Sequence, residues 1–340
     1  MFDICTDNGV ELRFDGVTLL RHTKEAPFAA AVRQEKSYAS SRGTVRVSVT
    51  EAERIPLVNA EYSGGAVTFS AQGHSLRASI GEIHGGLRLE LEGEDGWAYE
   101  FRLPALEGEA VFGGGEQYRK VNLRGETVVN FVSEHIKAST IIEKALLPKA
   151  LYREKQHSEI GSYAPMPVFV TDGGRRIAFD TEADGKAHFG DECYAFSFDS
   201  CPRALTLQHA GSYRELALLA AESVPNRQYM PSWCFDGMIL GVQGGTQTVL
   251  EKAFAMLDAG AKVSAVWSQD WSGENRTVMG KQVWWNWEAD EKLYPGLGDA
   301  IKRLNARGVR FLAYINPYLV KDSRLYKHCA ERGYLIRRAD

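Results

Sequence analysis

The densest gathering of side chains suited to a polar ligand lies at residues 266–287, VWSQDWSGENRTVMGKQVWWNW. Five of the seven Trp in the 340-residue chain fall inside it: Trp267, Trp271, Trp284, Trp285 and Trp287. They are interleaved with Gln269, Asp270, Arg276, Lys281, Gln282 and Asn286. A sugar presents apolar C–H faces and a ring of hydroxyls. Indole faces stack on the first, while amides, carboxylates and guanidinium groups hydrogen-bond the second. The segment therefore reads as a carbohydrate site. Trp clusters also build cores, and Trp233 and Trp267 are assigned there. Trp271, Trp284, Trp285 and Trp287 sit among polar residues, and at least one of them is expected to meet ligand.

Other chemistries find less support. Gly113-Gly114-Gly115-Glu116 follows a strand-like Val-Phe, but GGGEQYRK lacks the spacing of a phosphate loop or a dinucleotide fingerprint. The eight His are dispersed without metal-ligand spacing, and no Gly-x-Ser-x-Gly occurs. The five Cys are scattered and include no Cys-x-x-Cys, so they read as reduced thiols of a cytoplasmic protein. Neither metal nor cofactor is expected. A net charge of −4 and a pI near 6.1 supply no attraction for nucleic acid or an anionic membrane. The start, MFDICTDNGVELRFDG, is not a signal peptide, and no run approaches the ~20 apolar residues of a membrane helix. The expected partner is a small-molecule carbohydrate, with a homo-oligomeric state left open.

Two patterns of elements must position these residues. Over 1–225, short alternating runs rich in Val, Phe, Tyr and Thr recur between Gly-rich turns: 44–50, 66–71, 87–93, 97–103, 167–171, 176–181 and 194–200. Asp172-Gly173-Gly174 between two of them predicts a hairpin turn. Many short strands with few helical windows imply an antiparallel β-sandwich. Residues 119–165 show no clear period; a long functional loop and a local helix over IIEKALLPKAL are both compatible with them.

Over 226–340 the period changes. GMILGV (237–242), VSAVWSQDW (263–271) and RFLAYINPY (310–318) read as strands. Helices are predicted over 246–260, with Thr246 as N-cap and Gly260 past the end, and over 296–308 and 322–333. Strand, helix, strand, helix, strand, helix demands a parallel sheet. Periodicity alone leaves an open sheet and a closed barrel both available. Polar and aromatic clusters follow each strand: Gln243-Gly244-Gly245, Gln269-Asp270-Trp271 and Asn316-Pro317-Tyr318. In a (β/α)₈ TIM barrel those strand ends converge on one mouth. A barrel needs ~250 residues, and the stretch after Pro231 holds about three units, so the expectation is a barrel truncated with the chain.

Several motifs carry a resemblance. FGGGEQ (112–117) with NLRGE (122–126), PSWCFDGMILGVQGGTQ (231–247), VWSQDWSG (266–273), GKQVWWNW (280–287) with Tyr294-Pro295, and FLAYINPY (311–318) stand in one order. They resemble the retaining α-glycosidases of glycoside hydrolase family 31, most of all its sulfoquinovosidases, closely over 110–340 and in pattern only before that. The resemblance implies an N-terminal β-sandwich of the galactose-mutarotase type, then a catalytic barrel, and double displacement between two carboxylates ~5–5.5 Å apart. The family's two catalytic Asp have no match in residues 1–340 and are expected beyond them, which leaves this chain alone inactive. Gln243 and Gln269 match amides that contact sugar hydroxyls, and Trp285 matches an indole N–H donor to the sulfonate. Asp270 matches a substrate-pocket segment, so binding or support fits it better than catalysis.

The family's Arg after Gly-Lys is Gln282 here. A neutral amide gives up the charge-assisted bond that suits an anionic group. Either Lys281 or Arg276 rebuilds the sulfonate contact, or the sugar is neutral. Glu134 and His135 fall in a segment that approaches the barrel mouth by resemblance. The expected substrate-binding set is Gln243, Gln269, Asp270, Trp271, Lys281, Gln282 and Trp285. The leading function is hydrolysis of α-sulfoquinovosides. The alternatives are an α-glucosidase or α-xylosidase of the same family, and a non-catalytic carbohydrate-binding remnant.

Overall fold

The computed structural model describes residues 2–41, 44–117, 119–132, 160–222, 229–277, 280–321 and 323–336. The chain divides into two compact units, Met1–Pro225 and Asn226–Asp340. It is mostly sheet, with few helices.

In the first unit, a small antiparallel sheet joins Phe2–Cys5, Val10–Phe14 and Val17–His22. A second sheet among the described residues runs, edge to edge, Ile160–Ser162, Thr127–Val132, Gly185–Phe189, Cys193–Phe198, Ala98–Pro104, Ala29–Ser41 and Thr44–Pro56. A third runs Val111–Gly115, Pro165–Thr171, Arg175–Asp180, Ala204–His209, Gly86–Glu92, His74–Ile83, Ala66–Ala71 and Asn59–Ser63. Period-two alternation turns Tyr99, Phe101, Leu103, Phe196 and Phe198 of one sheet and Ile177, Phe179, Leu205 and Leu207 of the other into a single buried cluster. Phe179 bridges them, 5.5 Å from Phe101 and 4.9 Å from Phe196 between ring centroids. Each such side chain contributes roughly 1.5–3 kcal/mol by leaving water.

The expected hairpin forms at Asp172-Gly173-Gly174. Gly174 has φ of 79°, and a Cβ there would meet the Ala210 carbonyl oxygen at 2.3 Å. Glu109 and Arg175 form a buried ion pair beside this turn, and Tyr194 donates to Glu109 Oε2 at 2.6 Å.

Three features depart from the sequence reading. Thr127–Val132 pairs parallel, not antiparallel, with Ile160–Ser162. The long intervening chain allows this, whereas a tight hairpin would not. Both strands lie within 119–165, where no period was legible; residues 133–159, with the IIEKALLPKAL alternatives, Glu134 and His135, lie outside the described residues. A helix also closes the unit at Tyr213–Glu222, where Glu215 N donates to Ser212 Oγ at 3.3 Å. The Ser-x-x-Glu spacing of a capping box was the available signal.

The second unit orders β1 (Met238–Gly241), α1 (Gly245–Asp258), β2 (Val263–Ser268), β3 (Glu274–Thr277), β4 (Gly280–Val283), α2 (Leu297–Ala306), β5 (Arg310–Ala313) and α3 (Arg324–Glu331). The strands β1, β2 and β5 pair parallel in that order. Val249, Leu250 and Ala253 of α1 and Ala300 and Leu304 of α2 sit at helical spacing and pack with Val266, Tyr294 and Val309. Thr246 is not the N-cap of α1. Gly244 takes that place with φ of 107°, and Thr246 Oγ1 donates to the Pro295 carbonyl at 3.0 Å. The helix starts at Gly245 (φ 93°), where only glycine fits because the Leu293 carbonyl oxygen lies 2.4 Å from where a Cβ would be. The strand β5 ends sooner than expected, since Asn316 Oδ1 accepts the Tyr318 N–H at 2.8 Å and turns the chain. Trp233 and Trp267 are not core. Trp233 is half-buried beneath the Arg310 guanidinium, and Trp267, 38 % exposed, shares a strand with Val266 but points to the opposite face.

Candidate functional site

The register of the parallel sheet sets Gly241 beside Trp267 and Trp267 beside Leu312. The residues following the three strands therefore lie in one row. Gln243 follows β1 and Gln269 follows β2, and Gln243 Nε2 donates to Gln269 Oε1 at 2.7 Å. Gln243 is exposed and Gln269 half-buried. The pair leaves Gln243 Oε1 as an acceptor and Gln269 Nε2 as a donor, the complement of a hydroxyl pair.

Asp270 has another part. It is 1 % exposed. Its Oδ2 accepts the Gly244 N–H at 2.7 Å, and its Oδ1 accepts from Ser268 Oγ at 3.1 Å and from the Tyr294 hydroxyl. Tyr294 is fully buried, and its hydroxyl lies 2.6 Å from Ser268 Oγ. Burial, then the adjacent Asp270 carboxylate, pushes the Tyr294 phenol well above its ordinary pKa and keeps it a donor. Asp270 thus ties the Gly244–Gly245 turn to the end of β2. Both of its oxygens are taken by neighbours inside the unit, so of the two roles expected for it, binding or support, the observed bonds are those of support.

The aromatics divide in the same way. Trp271 is half-buried against the unit's core, donates its indole N–H to the Tyr314 carbonyl at 2.7 Å, and stacks on Trp287 at 6.4 Å and 29°. Trp287, with φ of 55°, donates to the Tyr318 carbonyl at 2.8 Å. Both indoles are thus anchored to the chain that follows β5. Trp285 is 37 % exposed and stacks on Tyr318 at 5.5 Å and 29°; its indole N–H has no partner among the described residues. Tyr314 touches both Trp267 and Trp287 edge-on, at 6.2 and 6.0 Å. Neither Tyr294 nor Tyr314 was singled out from sequence. Each lies inside a motif already marked, but nothing local says which Tyr meets which strand end.

The unforeseen β3–β4 hairpin carries the remaining candidates. It pairs Asn275 with Gln282 and Arg276 with Lys281. Alternation puts Asn275 and Gln282 on one face and Arg276 and Lys281 on the other. Lys281 Nζ bridges to Glu274 Oε2 at 2.7 Å on that second face. Lys281 therefore lies on the face of the hairpin opposite Gln282. Among the described residues no cluster of three His, Cys, Asp or Glu side chains could hold a metal, and no helix is long and apolar enough to cross a membrane.

No family model matches the chain. It is 30% identical to the sulfoquinovosidase of Escherichia coli (strain K12) over 342 residues, covering 96% of this chain and 50% of that protein. It is 26% identical to the sulfoquinovosidase of Agrobacterium fabrum (strain C58), covering 98% and 51%. Among solved structures, a family GH31 sulfoquinovosidase from E. rectale, in complex with an aza-sugar inhibitor, superposes with a TM-score of 0.83 at 27% identity, over 100% of this chain and 51% of that one. The chain spans about half the length of the curated relatives it matches.

Proposed function

We propose that the chain is a glycoside hydrolase family 31 sequence, sulfoquinovosidase-like along its length, and that it contributes part of a substrate pocket to a retaining α-glycosidase of sulfoquinovosides. Residues 1–225 form a β-sandwich in this reading, since two large sheets share one core. Residues 226–340 form the first three units of a (β/α)₈ barrel, since three parallel strands alternate with helices and end in polar residues.

The observation that carries the proposal is the Gln243–Gln269 amide pair at adjacent strand ends. Its free acceptor and donor hold sugar hydroxyls. Trp285 offers an unspent indole N–H to an anionic oxygen, and Gln282 with Asn275 supplies neutral amides nearby in sequence. Asp270 and Tyr294 set the position of the row. In this reading bond cleavage falls to two carboxylates ~5–5.5 Å apart, as in a retaining mechanism, and neither is assigned to a residue of this chain.

Gln282 favours a second reading, a neutral α-glucoside or α-xyloside. An amide donates from an uncharged group and singly, so it binds an anionic oxygen less strongly than the charged, bidentate Arg fork does. The deciding experiment measures kcat/KM of the full-length protein for a chromogenic α-sulfoquinovoside and the matching α-glucoside, before and after Gln282→Arg. A restored charge-assisted bond is worth roughly 1.5–3 kcal/mol, or about 10–100-fold in favour of the sulfonated substrate. If Gln282→Arg leaves that substrate no better used, Gln282 does not face the sulfonate. If the parent enzyme prefers the plain glucoside, the second reading holds.

A further inference from the structure

In the first unit, the strands Arg175–Asp180 and Ala204–His209 pair with Arg176 opposite Gln208 and Ala178 opposite Thr206. Alternation turns these four side chains away from Ile177, Phe179, Leu205 and Leu207, onto the far side of the sheet. Ala178 and Thr206 are small, and an open cavity of about 530 Å³ lies over them. That volume falls within the ~300–1,000 Å³ typical of small-molecule sites.

Arg176 lines this cavity and is only 5 % exposed. Its Nη1 donates to Gln208 Oε1 at 2.6 Å, and Gln208 is itself fixed by donating to the His84 carbonyl at 2.8 Å. Its Nε is buried without a hydrogen-bond partner, and no carboxylate pairs with the guanidinium among the described residues. The other arginines around it have carboxylate partners: Arg175 pairs with Glu109, Arg88 with Glu90 and Asp180, and Arg203 with Asp180 and Glu182, while His84 Nδ1 lies 2.8 Å from Glu222 Oε2. Thus the cavity's own carboxylates, Asp180 and Glu222, are already engaged. Burial lowers the Arg176 pKa, with no opposing charge to raise it. An uncompensated buried cation is costly to keep, and an arriving anion relieves that cost.

We propose that this cavity is an oxyanion-binding site separate from the Gln243–Gln269 row, with Arg176 as counter-charge and the Thr206 hydroxyl as a further donor. Its ligand is a small molecule bearing a sulfate, sulfonate or phosphate group. That shared chemistry can come from an inorganic ion or from an organic sulfonate.

The test is thermal unfolding and calorimetric titration of the full-length protein with sodium sulfate, sodium phosphate and sodium methanesulfonate, against chloride at equal ionic strength. A bound anion at a hundred times its Kd raises Tm by about 5 °C. Sulfate and phosphate also stabilise proteins by exclusion from their surfaces, so the reference is Arg176→Gln. This variant keeps a donor toward Gln208, removes the unpaired charge, and is expected to be at least as stable as the parent without anion. Saturable binding to the parent, lost in Arg176→Gln and in the cavity-filling Ala178→Leu, supports the site. Response to inorganic ions alone identifies that source, and preference for methanesulfonate identifies the organic one. Equal stabilisation of parent and Arg176→Gln by every anion overturns the proposal. So does binding to a folded Arg176→Gln that matches the parent.

Discussion

Replacing Asp270 with Asn isolates the support of the amide row with little change in shape. The carboxylate accepts from Gly244 N, Ser268 Oγ and the Tyr294 hydroxyl at a site 1 % exposed. An Asn side chain must present its NH₂ either to the Gly244 N–H or to the two hydroxyls, so at least one buried donor loses its acceptor. A hydrogen bond to a charged group is worth roughly 1.5–3 kcal/mol, and an orphaned buried donor costs about 1–3 kcal/mol. Ser268 and Tyr294 can still pair with each other at 2.6 Å, which trims the loss. The net expectation is about 3 kcal/mol. With a urea m-value of about 2 kcal/mol/M, the midpoint falls by about 1.5 M. Trp fluorescence reads this directly, because five of the seven Trp lie between 267 and 287. Tyr294→Phe keeps the carboxylate but removes one donor, so its shift is about half as large. A midpoint within about 0.3 M of the parent for Asp270→Asn would refute the positioning role, and loss of sugar binding without loss of stability would return Asp270 to direct contact.

Glu109→Gln leaves the buried Arg175 guanidinium without its counter-charge and is expected to cost about 3–5 kcal/mol, seen as a Tm drop of the order of 10 °C; a drop under about 2 °C would contradict the pairing. Lys36 bridges Asp184 and Asp199, and burial, then the adjacent Asp184, pushes Asp199 up to about 6. A raised carboxyl stabilises the fold while protonated, so its contribution is full below its unfolded value near 3.8 and is lost as pH rises to about 6. Asp199→Asn should remove that loss, and Tm of parent and variant followed from pH 4 to 7 would show converging curves if this sign is wrong. Gln243→Ala should weaken binding of an α-glycoside by about tenfold through lost hydroxyl contacts while leaving Tm within about 2 °C, measured by titration on the full-length protein.

Much of the fold was legible because periodicity is a local property. The runs at 66–71, 97–103 and 194–200 each became strands within a residue or two, since alternation writes one face of a strand into the sequence. The change of period near 230 falls close to the division between the compact units for the same reason. Thr127–Val132 was missed because its partner lies 28 residues beyond it, and the helix at Tyr213–Glu222 because its capping signal was not weighed.

For the site, residue types marked the Trp- and amide-rich segment, and the family resemblance singled out Gln243 and Gln269. Only tertiary structure brought those two within 2.7 Å across 26 residues of chain. It also turned Asp270 inward while Gln243 stayed exposed, spent the indole N–H groups of Trp271 and Trp287 but not of Trp285, and set Lys281 and Gln282 on opposite faces of a hairpin. Arg176 looks in sequence like any surface Arg of a strand. Its burial without a counter-charge exists only once the sheet is paired. Composition and period decide which faces a chain offers; strand register and packing decide which donor meets which acceptor, and which meets none.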